Sequence, residues 1–144
     1  MFEQIRSHFT ATFRDDNDLQ VIVAPGRVNL IGEYTDFNEG FVFPMTVDRG
    51  VYVGIRARTD QQVRVFSSRF GELIEYQLDE FVKPESGHWS CYVLGVVEEL
   101  KVLGLVPHGF DAVIDGNLNL GAGLSSSAAL ETATALALQS LFGF

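Results

Sequence analysis

The chain of 144 residues is about one domain long, and 47% hydrophobic content with 12 phenylalanines is ample for a core. A formal charge of -9 and a pI near 4.6 argue against a nucleic-acid partner, because no basic stripe exists to neutralise a phosphate backbone; any phosphate bound here must be held locally, by backbone N–H groups and a few cations. The single cysteine, Cys91, has no internal disulfide partner and points to a reducing, cytoplasmic setting, and no stretch approaches the ~18 apolar residues of a membrane span.

Phe2, Ile5, Phe9 and Phe13 recur at helical spacing and predict a first amphipathic helix, ended by the acidic turn Asp15-Asp16-Asn17-Asp18. Its mixed polar and apolar composition is that of neither a signal peptide nor a membrane anchor. Leu19 to Ala24 reads as a strand that Pro25-Gly26 should break. The stretch from Arg27 to Gly40 has no regular period and is dense in groups that bond hydroxyls, including Arg27, Asn29, Glu33, Asp36, Asn38 and Glu39. A long polar loop of this kind is either surface or a binding site.

Phe41 to Met45, Val51 to Arg58, Val63 to Ser68 and Leu73 to Leu78 are short β-rich runs separated at Asp60-Gln61 and Phe70-Gly71, which predicts an antiparallel meander. Trp89, Tyr92, Val93, Val96, Val97, Leu100 and Leu103 then follow a helical period, so a second helix should cover one side of the sheet and stop at Gly104. Cys91 reads as a small residue of this helix. Phe110 to Ile114 predicts a further strand, leading through Asp115-Gly116-Asn117 into a glycine-rich loop. Ala128 to Phe142 predicts a third helix, with Glu131 in its first turn. His8, His88 and His108 are isolated and receive no role.

The loop Gly121-Ala122-Gly123-Leu124-Ser125-Ser126-Ser127 places glycines and hydroxyls directly before that helix. Glycines let backbone N–H groups approach an anion, a helix start adds unpaired donors and a positive dipole end, and serines supply more donors. The residues alone leave two readings open, a phosphate cradle and an ordinary turn with a serine cap.

A second stretch bears on the choice. Pro25-Gly26-Arg27-Val28-Asn29-Leu30-Ile31-Gly32-Glu33, followed by Thr35-Asp36 and Asn38, together with Gly-Ala-Gly-Leu-Ser-Ser-Ser-Ala-Ala further on, closely resembles the galactokinase family of the GHMP small-molecule kinases. The resemblance covers essentially all of this chain and about the N-terminal third of a typical family member. It implies an α+β fold like domain 2 of ribosomal protein S5, a mixed sheet with helices on one side, and a single GHMP kinase N-terminal domain over residues 1–144 with a sugar-binding loop at 25–40 and a phosphate loop at 121–127. The implied activity is ATP- and Mg²⁺-dependent phosphorylation of the anomeric hydroxyl of galactose.

Residue by residue, the resemblance makes Arg27 the group that stabilises charge in phosphoryl transfer. Glu33, Tyr34 and Asp36 fall at the sugar. Gly121, Gly123, Leu124, Ser125, Ser126 and Ser127 fall on the phosphates, with Ser127 also a magnesium ligand, and Trp89 and Ser68 lie near adenine. Structural alternatives stand beside these: Arg27 in an ion pair, Asp36 in an Asx turn, Trp89 in plain core. Two positions depart from the family, Tyr34 where histidine is usual and Asn119 where proline is usual. The family's catalytic aspartate and metal-binding glutamate lie beyond this chain, whose final helix begins at the phosphate loop, so a fragment of a longer protein is expected. Galactose and ATP are the expected partners, with a monomeric state and no nucleic acid or membrane. A non-catalytic galactose- and ATP-binding sensor, and a kinase for a related sugar such as N-acetylgalactosamine, are the rival readings.

Overall fold

The computed structural model describes residues 1–32, 34–80, 83–118 and 123–144. In chain order it contains α1 (Phe2–Phe13), β1 (Gln20–Ile31), a short 3-10 turn (Asp36–Asn38), β2 (Phe43–Ala57), β3 (Gln62–Ser67), β4 (Glu72–Gln77), α2 (Ser90–Val102), β5 (Phe110–Gly116) and α3 (Ser126–Phe142). The fold is α+β. Its sheet has the order β1-β2-β5-β3-β4, antiparallel throughout except where β3 runs parallel to β5.

The expected meander survives only as the β3–β4 hairpin, because β5 inserts between β2 and β3. The reason is burial on two faces. Phe110, Ala112 and Ile114 face one core and Val113 the other, so β5 belongs in the middle of the sheet although it comes last in sequence. Pro25-Gly26 does not end the first strand either. β1 runs on to Ile31 with register shifts between Pro25 and Arg27 and between Asn29 and Ile31, and as an edge strand it tolerates a proline.

Helices cover both faces rather than one. Val53, Ile55, Val63, Val65, Phe110, Ala112 and Ile114 meet α2 and α3 through Val93, Val97, Ala133, Ala137 and Leu138. On the opposite face Ile5, Phe9 and Phe13 of α1 pack on Val113, with Leu19, Val21, Tyr52 and Phe66 around them. Here α1 comes so close that a Cβ on Gly54 would stand 2.5 Å from Ile5 Cγ2. Asp111, only 1% exposed on this face, accepts bonds from Arg64 (2.7 and 2.8 Å), Arg56 (2.8 Å) and Arg58 (3.1 Å). Burial pushes the Asp111 carboxyl up, and the bonds from Arg64 and Arg56 more than offset this and hold it below the ordinary range. The guanidinium groups of Arg56 and Arg64 lie over the rings of Phe9 and Phe13 at 5.1 and 4.8 Å, so the cluster also ties α1 to the sheet.

Two helix details differ from expectation. Leu103 lies beyond the end of α2 and is 69% exposed, while Gly104 with φ 73° makes the expected stop. Because α3 starts at Ser126, Glu131 falls past the first turn, which holds no acidic residue. Among the described residues no helix is long and apolar enough to cross a membrane.

Candidate functional site

The chain enters α3 through Gly123 at φ 68° and Ser125 at φ 53°, both in the left-handed region. A Cβ on Gly123 would meet no described residue within 4 Å. Ser125 makes no side-chain cap, and none of Ser125, Ser126 and Ser127 spends its hydroxyl on another described residue. The first N–H groups of a 17-residue helix and the hydroxyls of Ser125, Ser126 and Ser127 thus stand together with no partner among the described residues. Ser125 stands at the cap position of the capped-turn reading but makes no side-chain cap bond.

Ser126 and Ser127 line a cavity of about 470 Å³ whose other walls include Trp89, Phe70, Tyr92, Arg69 and Glu72. Trp89 is 8% exposed and belongs both to the core and to this wall. Its ring is stacked with that of Phe70, centroids 6.0 Å apart and planes 10° from parallel. Trp89 Nε1 donates to Glu72 Oε2 at 2.7 Å, and His88 meets the same oxygen at 3.1 Å and Ser90 Oγ at 2.6 Å, which holds the indole in place. Ser68, by contrast, directs its hydroxyl to the Ile114 carbonyl at 3.2 Å, and its neighbours Ser67 and Arg69 line the cavity instead.

Arg27 lies on the exposed side of β1, and its guanidinium has no hydrogen bond or ion pair with any described residue, so the structural ion pair is not seen. Its backbone N–H donates to the Leu124 carbonyl at 3.1 Å, joining β1 to the serine loop. Gly26 makes that approach possible, since a Cβ there would lie 2.9 Å from the Leu124 oxygen and 2.5 Å from Leu118 Cδ2.

The stretch after β1 is folded on Thr35, whose hydroxyl lies 3.0 Å from the Gly32 carbonyl and 3.1 Å from that of Phe41. Tyr34 adopts φ 58°, is 81% exposed and meets the Phe37 ring edge-on at 6.4 Å. Asp36 opens the 3-10 turn. The sequence-predicted Glu33 and Gly121, and the divergent Asn119, lie outside the described residues.

Sequence reasoning missed Arg69, Phe70, Glu72 and Tyr92 as cavity residues. Phe70 carried a signal, as a large aromatic at a turn where core packing gives it no reason to be. Tyr92 follows Trp89 by three residues and so shares its helix face.

Two family models match the chain. The galactokinase galactose-binding signature matches residues 7–57, the part that holds Arg27, Tyr34 and Asp36, and the GHMP kinases N terminal domain matches residues 91–144, the part that holds the serines. A galactokinase of Chloroflexus aurantiacus is 50% identical over 118 residues, 82% of this chain and 30% of that protein. One of Bacillus subtilis is 42% identical over 145 aligned residues, 99% of this chain and 37% of that protein. The crystal structure of Lactococcus lactis galactokinase complexed with galactose superposes with a TM-score of 0.92 at 37% identity, over 99% of this chain and 38% of that one. The chain thus spans about a third of the length of the curated relatives it matches.

Proposed function

We infer that this chain, which belongs with the galactokinases of the GHMP kinase superfamily and corresponds to their N-terminal part, carries the nucleotide side and part of the sugar side of a galactokinase site. The reaction is transfer of the γ-phosphoryl group of ATP to the anomeric hydroxyl of galactose, giving galactose 1-phosphate. One observation carries the reading: Trp89, Ser126 and Ser127 border a single cavity, and Arg27 is bonded to the same loop through Leu124.

In this reading the Phe70–Trp89 wall takes the base, and the backbone N–H groups and hydroxyls at the start of α3 take the phosphates. Ser127 has a hydroxyl with no partner among the described residues, a hard oxygen donor of the kind magnesium accepts, and would supply one ligand to the ion. When bound, Mg²⁺ neutralises charge developing on the phosphate oxygens. Arg27, whose guanidinium has no partner among the described residues, stabilises the transferring group. Glu33 and Asp36 accept bonds from sugar hydroxyls and Tyr34 adds to that pocket, while Gly121 and Gly123 let the loop close on the phosphates. The base that receives the proton belongs to the portion of the relatives that this chain does not span. A monomer in the cytoplasm, with galactose and ATP as its partners, completes the proposal, and the lone Cys91 suits such a compartment.

The test is direct binding. Trp89 is the only tryptophan, so its emission reports on the cavity. Titration with ATP should change that emission saturably, and calorimetry should show galactose binding that Arg27→Ala leaves intact. An unchanged emission at millimolar ATP, with no heat of binding, would contradict the reading.

A further inference from the structure

We propose that Arg69 is a phosphate-binding residue of the nucleotide cavity, an assignment that rests on the nucleotide reading above. Arg69 lies between β3 and β4, next in sequence to Phe70, and both line the cavity. Its Nη1 donates to the Leu118 carbonyl at 2.6 Å. Leu118 follows β5 on the way to the serine loop, so the guanidinium reaches from the aromatic wall to the strand end that leads into the phosphate side. One carbonyl occupies one N–H of a group that carries five, and the rest have no partner among the described residues.

Charge makes the position informative. The chain carries -9 overall, and the cavity wall itself holds two carboxylates, Glu72 and Asp115. Among the described residues of that wall Arg69 is the arginine and there is no lysine, and the His88 ring is tied to Glu72 and Ser90 on the Trp89 side. A polyphosphate entering such a cavity needs a cation at its own end, and Arg69 is placed to supply it. The planar fork of a guanidinium suits phosphate oxygens, and its bond to Leu118 aims it without using up its donors.

The plain alternative is that Arg69 only satisfies the Leu118 carbonyl and steadies the strand end. The two differ in how a loss depends on phosphate number. Arg69→Gln in this chain, with folding checked by circular dichroism, is titrated with adenosine, AMP, ADP and ATP without magnesium, following Trp89 emission and heat. A phosphate contact leaves adenosine within about twofold of the unaltered chain and weakens ATP roughly ten- to a hundredfold, as loss of a charge-assisted bond does. Arg69→Lys, which keeps the charge but not the fork, should fall between, and it decides the matter if the glutamine variant fails to fold. Unchanged ATP affinity, or an equal loss for adenosine and ATP, overturns the assignment while the nucleotide reading stands. If the unaltered chain binds none of the four, the nucleotide reading fails and the assignment with it.

Discussion

The backbone N–H of Arg27 donates to the carbonyl of Leu124 at 3.1 Å, which locks the edge strand carrying the exposed arginine to the loop carrying the serines. Gly26 is the residue that permits it, with Leu124 oxygen and Leu118 Cδ2 standing where a Cβ would go. Gly26→Ala must push strand and loop apart. We expect a stability loss of about 1–3 kcal/mol in urea denaturation, as for other overpacked sites, together with weaker ATP binding. An alanine variant of undiminished stability and affinity would show that the contact is slack.

The Asp111 cluster predicts an acid limb in stability. Its carboxyl is held below the ordinary 3.8 in the folded state, so its contribution is full above the unfolded-state value and is lost as pH falls through the lower folded value. Asp60, held at about 2 by Arg58, acts in the same direction. Urea stability should therefore change little through these groups down to about pH 4 and decline below it. Asp111→Asn leaves Arg64 without a carboxylate and Arg56 and Arg58 with only Asp15 and Asp60, and should cost about 3–5 kcal/mol at neutral pH while flattening the acid limb. An asparagine variant with an unaltered acid limb would place the pH dependence elsewhere.

The outer end of the β1–β2 ribbon predicts dye binding. β5 pairs with β2 only from Val51 to Ala57, so Phe43 to Thr46 pair with β1 alone, and Phe41 (98% exposed), Ile31 (71%) and Phe43 (63%) stand in solvent. Apolar surface of this density binds an anilinonaphthalene probe. Replacing Phe41 and Phe43 with serine should lower probe fluorescence severalfold and leave the melting temperature nearly unchanged, since surface substitutions shift stability by about 0.5 kcal/mol or less. A large fall in melting temperature would mean that these rings are packed in solution.

Much of the fold was legible where the signal is local. Ile5, Phe9 and Phe13 repeat at the helical period and are buried as a set, and the runs around Val63 and Ile74 became β3 and β4. The central place of β5 was not legible, because its partners on β2 and β3 lie some 45 to 65 residues upstream and no local period encodes that pairing. Nor was the continuation of β1 through Pro25, which depends on its being an edge strand. At the site, Trp89, Ser126 and Ser127, all singled out from the sequence, share one cavity. Arg69 occupies a turn, where neither period nor motif marks a residue, and only folding brings it to that cavity beside Phe70, whose aromatic side chain at a turn was the one local signal.

The account stands or falls on the serine loop as a phosphate cradle, and calorimetric titration of two variants with ATP tests it most directly. Ser127→Ala removes one unengaged hydroxyl. Its defect should be larger for ATP with magnesium than without, because that hydroxyl is the proposed metal ligand. Gly123→Val places a β-branched residue at φ 68°, where strain of about 1–3 kcal/mol acts on the backbone facing the ligand, and its defect should be the same with and without magnesium. Wild-type ATP affinity in both variants, each shown to be folded by circular dichroism, would contradict the phosphate cradle and the kinase reading built on it.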